Sequence, residues 1–270
     1  LAAMDTAIAD INSGRFKDDP AAEAELKGAI GLILTNHGRW RDAEELLNQA
    51  LESKQRLSKG DSQDLARVIN NLALVLSNLG RKEEARLLMV EALEMNRRLH
   101  PGDHAAVALA LGNLASNVAP EEGEVLHRQS LAMYRRLYRG DSDPVAHSLM
   151  NLANAIKALG RNSEAEPLYT EALEMGLRVF EGDHPMVAIA LDNLAKARFD
   201  LGRQADAVEL QTLALAMRRR LYKAPHPDLA MGLHNLGFVL NDQKRAAEAE
   251  PLLAEALTMR RHLFGVDSVD

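Results

Sequence analysis

The stretch "MNLANAIKALGRNSEAEPLYTEALEM", residues 150–175, recurs along most of this 270-residue chain. Near-copies read "NNLALVLSNLGRKEEARLLMVEALEM" from Asn70 and "DNLAKARFDLGRQADAVELQTLALAM" from Asp192. The asparagine of each "NL" unit recurs at steps of 42, 38, 42 and 42 residues, and the leucine of each "AL" or "SL" unit keeps the same spacing. A fixed period of this length predicts a stack of similar structural units.

Each unit is predicted to contain two helices. In the quoted copy the first runs from about Ser148 to Leu159 and the second from about Ser163 to Phe180. Pro144 suits the first turn of a helix, and the glycine after Leu159 suits a left-handed helix end. Because two amphipathic helices cannot cover their own apolar faces, each pair must pack against the next pair.

Small residues recur at three positions of the unit, where they would let helix axes approach to the short end of the ~8–10 Å range. They are Ala73, Ala115, Ala153, Ala195 and Gly237 on the first helices; Ala43, Ala85, Gly123, Ala165, Ala207 and Ala249 early on the second helices; and Ala50, Ala92, Ser130, Ala172, Ala214 and Ala256 later on the second helices. These positions are predicted to be the helix contacts.

One repeat is short. Between Asn113 and Leu131 the chain lacks four residues and the glycine–arginine turn found in other copies. Four residues make about one helical turn, so the helix faces should stay in phase. The first helix of this repeat is predicted to end near Val118, and Pro120 is predicted to open the second.

Composition narrows the class of protein. Apolar residues make up 47% and aromatic residues 4%, a mixture that favours packed helices. The net charge is −7 and both signs are mixed in every repeat, which argues against binding to nucleic acid. The absence of cysteine excludes disulfides and thiolate zinc sites. No apolar run approaches the ~18 residues of a membrane span, so membrane insertion is not expected.

The first residues bear on the cellular location of the protein and on whether the chain is part of a longer one. It is acidic and lacks the basic beginning of a signal peptide, so we expect a cytoplasmic protein. Its first residue is Leu1, which indicates a piece of a longer chain.

No pattern typical of catalysis occurs. The sequence has no zinc-protease helix motif, no phosphate-binding glycine loop and no nucleophile elbow. We therefore predict a protein that is not an enzyme and that needs no metal or cofactor.

Two repeated sets of basic residues receive structural interpretations. The histidines of successive loops are interpreted as loop caps or solvated residues: His104, His184 and His226. The arginines near the ends of second helices are interpreted as complements to the helix dipole rather than as an anion-binding ridge: Arg97, Arg135, Arg218 and Arg260.

The order of large and small residues over residues 21–264 resembles the tetratricopeptide repeat, and the 42-residue unit with its "GDHP" link resembles the kinesin light chain type. The resemblance implies an all-α, right-handed superhelical solenoid of about six antiparallel helix pairs. The segment "RFKDDPAAEAELKGAIG", residues 15–31, also resembles the start of such regions attached to bacterial serine/threonine kinases. That second likeness implies the sensor or adaptor region of a signalling protein.

The expected organisation has two parts. Residues 1–20 would form a linker and a capping helix over residues 2–13. Residues 21–270 would form the solenoid, with units at about 21–62, 63–104, 105–142, 143–184, 185–226 and 227–267.

The asparagines of the "NL" units are the candidate binding residues. An amide both donates and accepts hydrogen bonds, so a ladder of amides can pair with the backbone of an extended peptide. In kinesin light chains the first helices line a concave groove and asparagines at this position hold the peptide backbone. The resemblance carries this role to Asn71, Asn113, Asn151, Asn193 and Asn235.

Neighbouring positions complete the candidate site. Helical periodicity places on the same face Arg67, His147, Asn154, Lys196, Met231 and Phe238. The position before each asparagine varies, which is typical of a selectivity surface, and holds Asn70, Met150, Asp192 and His234 among others.

Two functions follow from these residues. The first is a non-catalytic scaffold that binds a protein or peptide segment in the concave groove. The second is a structural solenoid that self-associates into a homo-oligomer, with asparagines that only bridge adjacent first helices.

Overall fold

The computed structural model describes residues 6, 8–11, 13, 16 and 18–264. From residue 20 onward it consists of twelve helices. Their bounds are α1 Pro20–Asn36, α2 Trp40–Leu57, α3 Gln63–Asn78, α4 Lys82–Leu99, α5 Ala105–Ala115, α6 Pro120–Leu137, α7 Asp143–Ala158, α8 Asn162–Val179, α9 Pro185–Asp200, α10 Gln204–Leu221, α11 Pro227–Asp242 and α12 Ala246–Phe264. The described chain is therefore the all-α solenoid that the repeat predicts.

The chain divides into two compact units, which we call unit 1, up to Leu137, and unit 2, from Tyr138. In unit 1 each of the helices α1 to α5 packs against the helix that follows it. The same holds for α7 to α11 in unit 2. Odd-numbered helices are the first helices of the repeats, and even-numbered helices are the second helices.

The turn inside a repeat depends on a left-handed residue. Gly160 has a φ of 76°, and the next N–H, of Arg161, donates to the carbonyl of Ile156 at 3.2 Å. This satisfies a carbonyl that the helix end leaves free. Lys244 takes the glycine's place in the last repeat with a φ of 60°. It is the one non-glycine residue with positive φ among the described residues.

Histidines begin three of the first helices. In each case the ring Nδ1 accepts a hydrogen bond, at 3.2 Å, from a backbone N–H two residues on: His104, His184 and His226. Each ring also stacks on the aromatic residue directly after the preceding helix, with ring centres 3.5–3.7 Å apart. The interpretation of these histidines as caps is confirmed, and the stacking explains why the position prefers a ring.

The small-residue contacts are confirmed. Ala73, Ala153 and Ala165 are fully buried, as are most members of the three sets. The tightest contact is in the short repeat, where a Cβ on Gly123 would lie 2.6 Å from the carbonyl oxygen of Ala115. Only glycine can occupy that position without moving the backbone.

Four arginine–aspartate pairs join a loop to the second helix of the same repeat. An arginine near the end of the second helix binds, through two nitrogens at 2.5–3.2 Å, the aspartate of the loop before the first helix. The pairs are Arg98–Asp61, Arg136–Asp103, Arg178–Asp141 and Arg220–Asp183. The arginine hydrogen bonds lower the pKa of each aspartate. These pairs are exposed, so each adds little stability.

Two expectations need adjustment. The first helix of the short repeat ends at Ala115, not near Val118, because the chain turns at residues 116–119 before Pro120. The capping helix expected over residues 2–13 lies mostly outside the described residues. Residues 8–11 are helical, and Ile11 is 2% exposed and belongs to the same apolar cluster as Leu34.

Exchanging glycine and non-glycine residues at the left-handed turn tests how much its conformation costs in stability. Replacing Lys244 by glycine should stabilise unit 2 by about 1 kcal/mol, since a side chain in this conformation costs about 1–2 kcal/mol. Gly160→Ala should cost a similar amount, because its Cβ would meet nothing within 4 Å and only the backbone would be strained. Chemical denaturation measures both, and equal stabilities for all three proteins would refute the assignment.

Burial of His127 predicts a pH dependence. Its side chain is 4% exposed, and burial lowers its pKa from 6.5 to about 4. The unfolded chain therefore takes up this proton at a higher pH than the folded chain, so stability falls as pH falls from 6.5 towards 4. We expect a loss on the order of 2 kcal/mol from this group.

The control is His127→Met, which copies Met89 at the same position of the preceding repeat. Melting curves of the two proteins between pH 7 and pH 4.5 should diverge as the buffer becomes acidic, with the variant the less sensitive protein. Parallel curves would show that His127 does not resist protonation.

Candidate functional site

Successive first helices form a continuous surface in each unit, which we call the first-helix face. In unit 1 it consists of α1, α3 and α5, and in unit 2 of α7, α9 and α11. The contact of α1 with α3, of α7 with α9 and of α9 with α11 joins neighbouring helices directly. The predicted site residues lie on these helices.

In unit 1 the asparagines form a bridge between repeats. The Nδ2 of Asn113 on α5 donates to the Oδ1 of Asn70 on α3 at 2.8 Å. Asn71 is 7% exposed, and its Nδ2 is buried with no hydrogen-bond partner among the described residues. Asn113 thus links two first helices, while Asn71 holds a donor that has no acceptor in the described chain.

In unit 2 the asparagines are more accessible. Asn151 is exposed, and Asn193 and Asn235 are half-buried. The Nδ2 of Asn235 is buried and has no partner within the described chain. The repeated position therefore presents amides with different exposure, and two of the five have an unpaired donor.

Exposed side chains surround the asparagines of unit 2. Met231 is 40% exposed and Phe238 is 55% exposed, with the Phe238 ring centre 5.9 Å from that of Phe199. The exposed polar members of the predicted set are His147, Asn154, Lys196 and His234. The exposed Phe238, packed beside the half-buried Phe199 and next to hydrogen-bonding groups, is a surface that a partner can cover favourably.

Two predicted site residues face the interior instead. Met150 is 4% exposed and Asp192 is 2% exposed. One residue along a helix turns the side chain by about 100°, which takes this position away from the exposed side of the helix. The expectation that they belong to an accessible selectivity surface is corrected, because both side chains are buried in the packed repeats.

Asp192 is paired with Arg218 of α10, which is 1% exposed. The guanidinium lies beneath α11, where a Cβ on Gly232 would be 3.1 Å from its NH1. Arg218 lies in the last turn of α10, as the helix-dipole interpretation requires, and the structure adds a partner that the interpretation did not include. The arginine of this repeat is a buried partner to a buried carboxylate.

Arg218 identifies a position on the second helices that the sequence analysis missed. The equivalent residues in other repeats are Lys54, Asn96, Tyr134, Gly176 and Arg260. In the described chain Lys54 reaches Glu25 on α1 at 2.6 Å, and Asn96 lines a pocket between α3 and α5. We call this the floor position, because a long side chain here extends from the second helix towards the first-helix face. In the sequence this position can be recognised because its residue type changes from repeat to repeat, whereas the residues around it are similar in most repeats.

The floor positions of unit 1 differ in charge, since Lys54 is charged and Asn96 is neutral. Glu25 accepts from Lys54 at 2.6 Å and from Arg67 at 2.5 Å. The hydrogen bond from Lys54, with that from Arg67, outweighs burial and lowers the pKa of Glu25. Arg67 also binds Asp64 at 3.2 Å, so its charge is already matched.

A pocket of about 280 Å³ lies beside this ion-pair network. Its walls are mainly apolar and include Leu32 and Leu109, which are 37% and 54% exposed. Asn71 and Asn96 line it from α3 and α4. Apolar walls with a few polar groups are typical of sites that bind an inserted side chain or small molecule.

Two features are absent from the described residues, a metal-binding cluster and a membrane-crossing helix. They contain no group of three histidine, aspartate or glutamate side chains placed to hold a metal ion. Within the same part of the chain, we find no helix whose length and apolarity together suit a bilayer crossing.

The buried pair Asp192–Arg218 should be far more costly to break than an exposed pair. Arg218→Met leaves a buried carboxylate unpaired, at a cost of about 3–5 kcal/mol, whereas adding Asp192→Val should recover most of this loss. The matched control is Arg220→Met two residues away, which breaks the exposed pair with Asp183 and should cost under about 1 kcal/mol. Denaturation of the four proteins measures these differences, and similar losses for Arg218→Met and Arg220→Met would contradict the buried pair.

Comparison with known proteins agrees with this architecture. Tetratricopeptide repeat models match residues 22–98, 120–175, 145–220 and 229–270. A comparison with curated protein sequences gives no significant match.

Solved structures share the fold at low identity. A kinesin light chain protein of Podosopora anserina with nearly identical TPR-like repeats is 20% identical, with a TM-score of 0.60 over 76% of this chain and 99% of that one. A Rap protein complexed with Competence and Sporulation Factor is 15% identical, with a TM-score of 0.65 over 97% of this chain and 70% of that one. The apo form of RapI is 12% identical, with a TM-score of 0.62 over 96% and 77%. The likeness to kinesin-light-chain repeats is confirmed at the level of the fold.

Proposed function

Because this chain belongs to the tetratricopeptide repeat family, we propose that it is a non-catalytic scaffold that binds an extended peptide segment of a partner protein on the first-helix face. The observation that carries the proposal is the set of unpaired amides on this face. Asn71 and Asn235 each hold a buried Nδ2 without a partner in the described chain. A peptide carbonyl would satisfy such a donor.

The surface around these amides supports the same ligand class. Met231 and Phe238 offer apolar area, and Lys196 and His234 offer polar groups beside it. Main-chain pairing supplies affinity that does not depend on the peptide's sequence, while the neighbouring side chains supply preference. The Rap structure above was solved with Competence and Sporulation Factor, so a protein of this fold binds such a factor.

We also propose that the scaffold is one part of a larger signalling protein. The resemblance of residues 15–31 to regions attached to bacterial kinases favours the sensor or adaptor part of a larger signalling protein. A cytoplasmic location fits that role.

The test is selection of displayed random linear peptides on the whole 270-residue chain. Wild type should enrich a family of peptides, and Asn151→Ala combined with Asn193→Ala should lose most of this binding, because two backbone-pairing amides are removed from adjacent helices. Both proteins should melt alike, since Asn151 is exposed and Asn193 is only half-buried. Asn48→Ala, an exposed asparagine on α2, is the matched control and should bind as wild type does.

A structural role for the asparagines is the second candidate, and the bond between Asn113 and Asn70 favours it. Under this alternative the amides hold repeats together, and the chain self-associates without a peptide ligand. The double variant would then melt at a lower temperature and wild type would enrich no peptide. Its mass in solution would also rise with concentration.

A further inference from the structure

The unit 1 pocket combines two buried amide atoms of opposite hydrogen-bonding character. The Nδ2 of Asn71 is a donor and the Oδ1 of Asn96 is an acceptor, and neither has a partner in the described chain. The orientation of Asn96 is set, because its Nδ2 donates to the carbonyl of Ala92 at 2.8 Å. Buried polar groups are almost always paired, so an unpaired donor and acceptor lining one pocket point to a ligand.

We propose that this pocket binds the carboxamide of a glutamine side chain in the partner peptide, an inference that rests on the proposed function. The carboxamide oxygen accepts from Asn71 Nδ2, and its NH₂ group donates to Asn96 Oδ1. The methylene stem lies against the apolar wall formed by Ala66, Leu109 and Ala110. A carboxamide carries the donor and the acceptor that the two asparagines lack.

A small rotation of Asn71 turns its Nδ2 towards the ligand, because the last torsion of an asparagine side chain is soft. Both asparagines line the pocket, and Asn96 keeps the orientation set by its bond to Ala92. The Asn71 amide can turn towards the pocket without giving up a hydrogen bond at Nδ2, because it makes none within the described chain. The volume of about 280 Å³ leaves room for the stem and the amide together.

Charge and polarity exclude side chains of the same length. Arg67 at the pocket edge is already engaged by Glu25 at 2.5 Å and by Asp64 at 3.2 Å, so no free cation awaits a carboxylate. A glutamate would bring its negative charge towards the Asn96 oxygen. A methionine would fit the apolar wall but would leave both amide atoms unpaired.

Two of the three floor positions of unit 2, those of Gly176 and Arg218, are closed, and the third holds the exposed Arg260. Met186 covers Gly176, with its methyl carbon 2.9 Å from the place a Cβ would occupy. Arg218 is 1% exposed beneath Gly232. We therefore expect one glutamine position in the peptide, read by unit 1.

The experiment begins with the displayed peptides enriched by the wild-type chain. Their sequences should share one glutamine, and synthetic peptides with that residue changed to methionine or glutamate should bind about tenfold more weakly. The three side chains have equal length, so the comparison isolates the amide. Titration calorimetry or fluorescence anisotropy measures the affinities.

Variants of the protein assign the effect to the pocket. Asn96→Leu removes the acceptor, so the difference between glutamine and methionine peptides should shrink to about twofold or less while peptide binding persists. Its melting temperature should not fall much, since the Asn96 oxygen has no partner to lose and the Ala92 carbonyl, which loses the Asn96 Nδ2, keeps its helical N–H donor. Asn71→Leu tests the donor independently if Asn96→Leu folds poorly. Asn48→Leu on α2 is the control and should keep the tenfold preference.

The outcomes separate this proposal from the proposed function. If wild type binds no peptide, both fail. If peptides bind without a glutamine preference, or if the preference survives both Asn96→Leu and Asn71→Leu, the glutamine pocket is refuted and the scaffold stands. Loss of the preference in either pocket variant, with the control unchanged, supports the pocket.

Discussion

The close approach of paired helices at small residues is the constraint on which the other features depend. Ala153, Ala165 and Ala172 are fully buried where α7 and α8 meet, and Gly123 leaves no room for even a methyl group beside Ala115. Helices this close bring large side chains of the second helix within reach of the first-helix face. Stacking then follows, because a helix pair with one apolar face must pack against its neighbour.

The floor position shows how this geometry acquires chemistry. Side chains of very different character occupy it without changing the fold: Lys54 enters an ion-pair network, Asn96 lines an open pocket, and Arg218 binds a buried carboxylate. A buried pair such as Asp192–Arg218 adds little net stability, since desolvation offsets the attraction. Its effect on the surface is clearer, because the pair fills the space at the Arg218 position of unit 2, whereas the equivalent Asn96 of unit 1 lines an open pocket.

The asparagine position illustrates how one repeated residue divides its roles. Asn113 bridges to Asn70, whereas Asn71 and Asn235 keep buried donors without partners in the described chain. An amide can satisfy both demands, because it donates and accepts at once. Cohesion between repeats and recognition of a peptide backbone are therefore compatible functions of the same side chain, and which one dominates depends on the neighbours of each copy.

Spacing alone was enough to establish the helix pairs, the left-handed turn at Gly160 and the burial of the alanine sets, because these follow from local periodicity and from backbone sterics. The same spacing located the asparagines and the capping histidines. It could not show that Met150 and Asp192 turn inward, that Arg218 is buried, or that Asn96 lines a pocket. Those facts depend on which side chains of another helix meet each position, and such contacts exist only once the chain has folded.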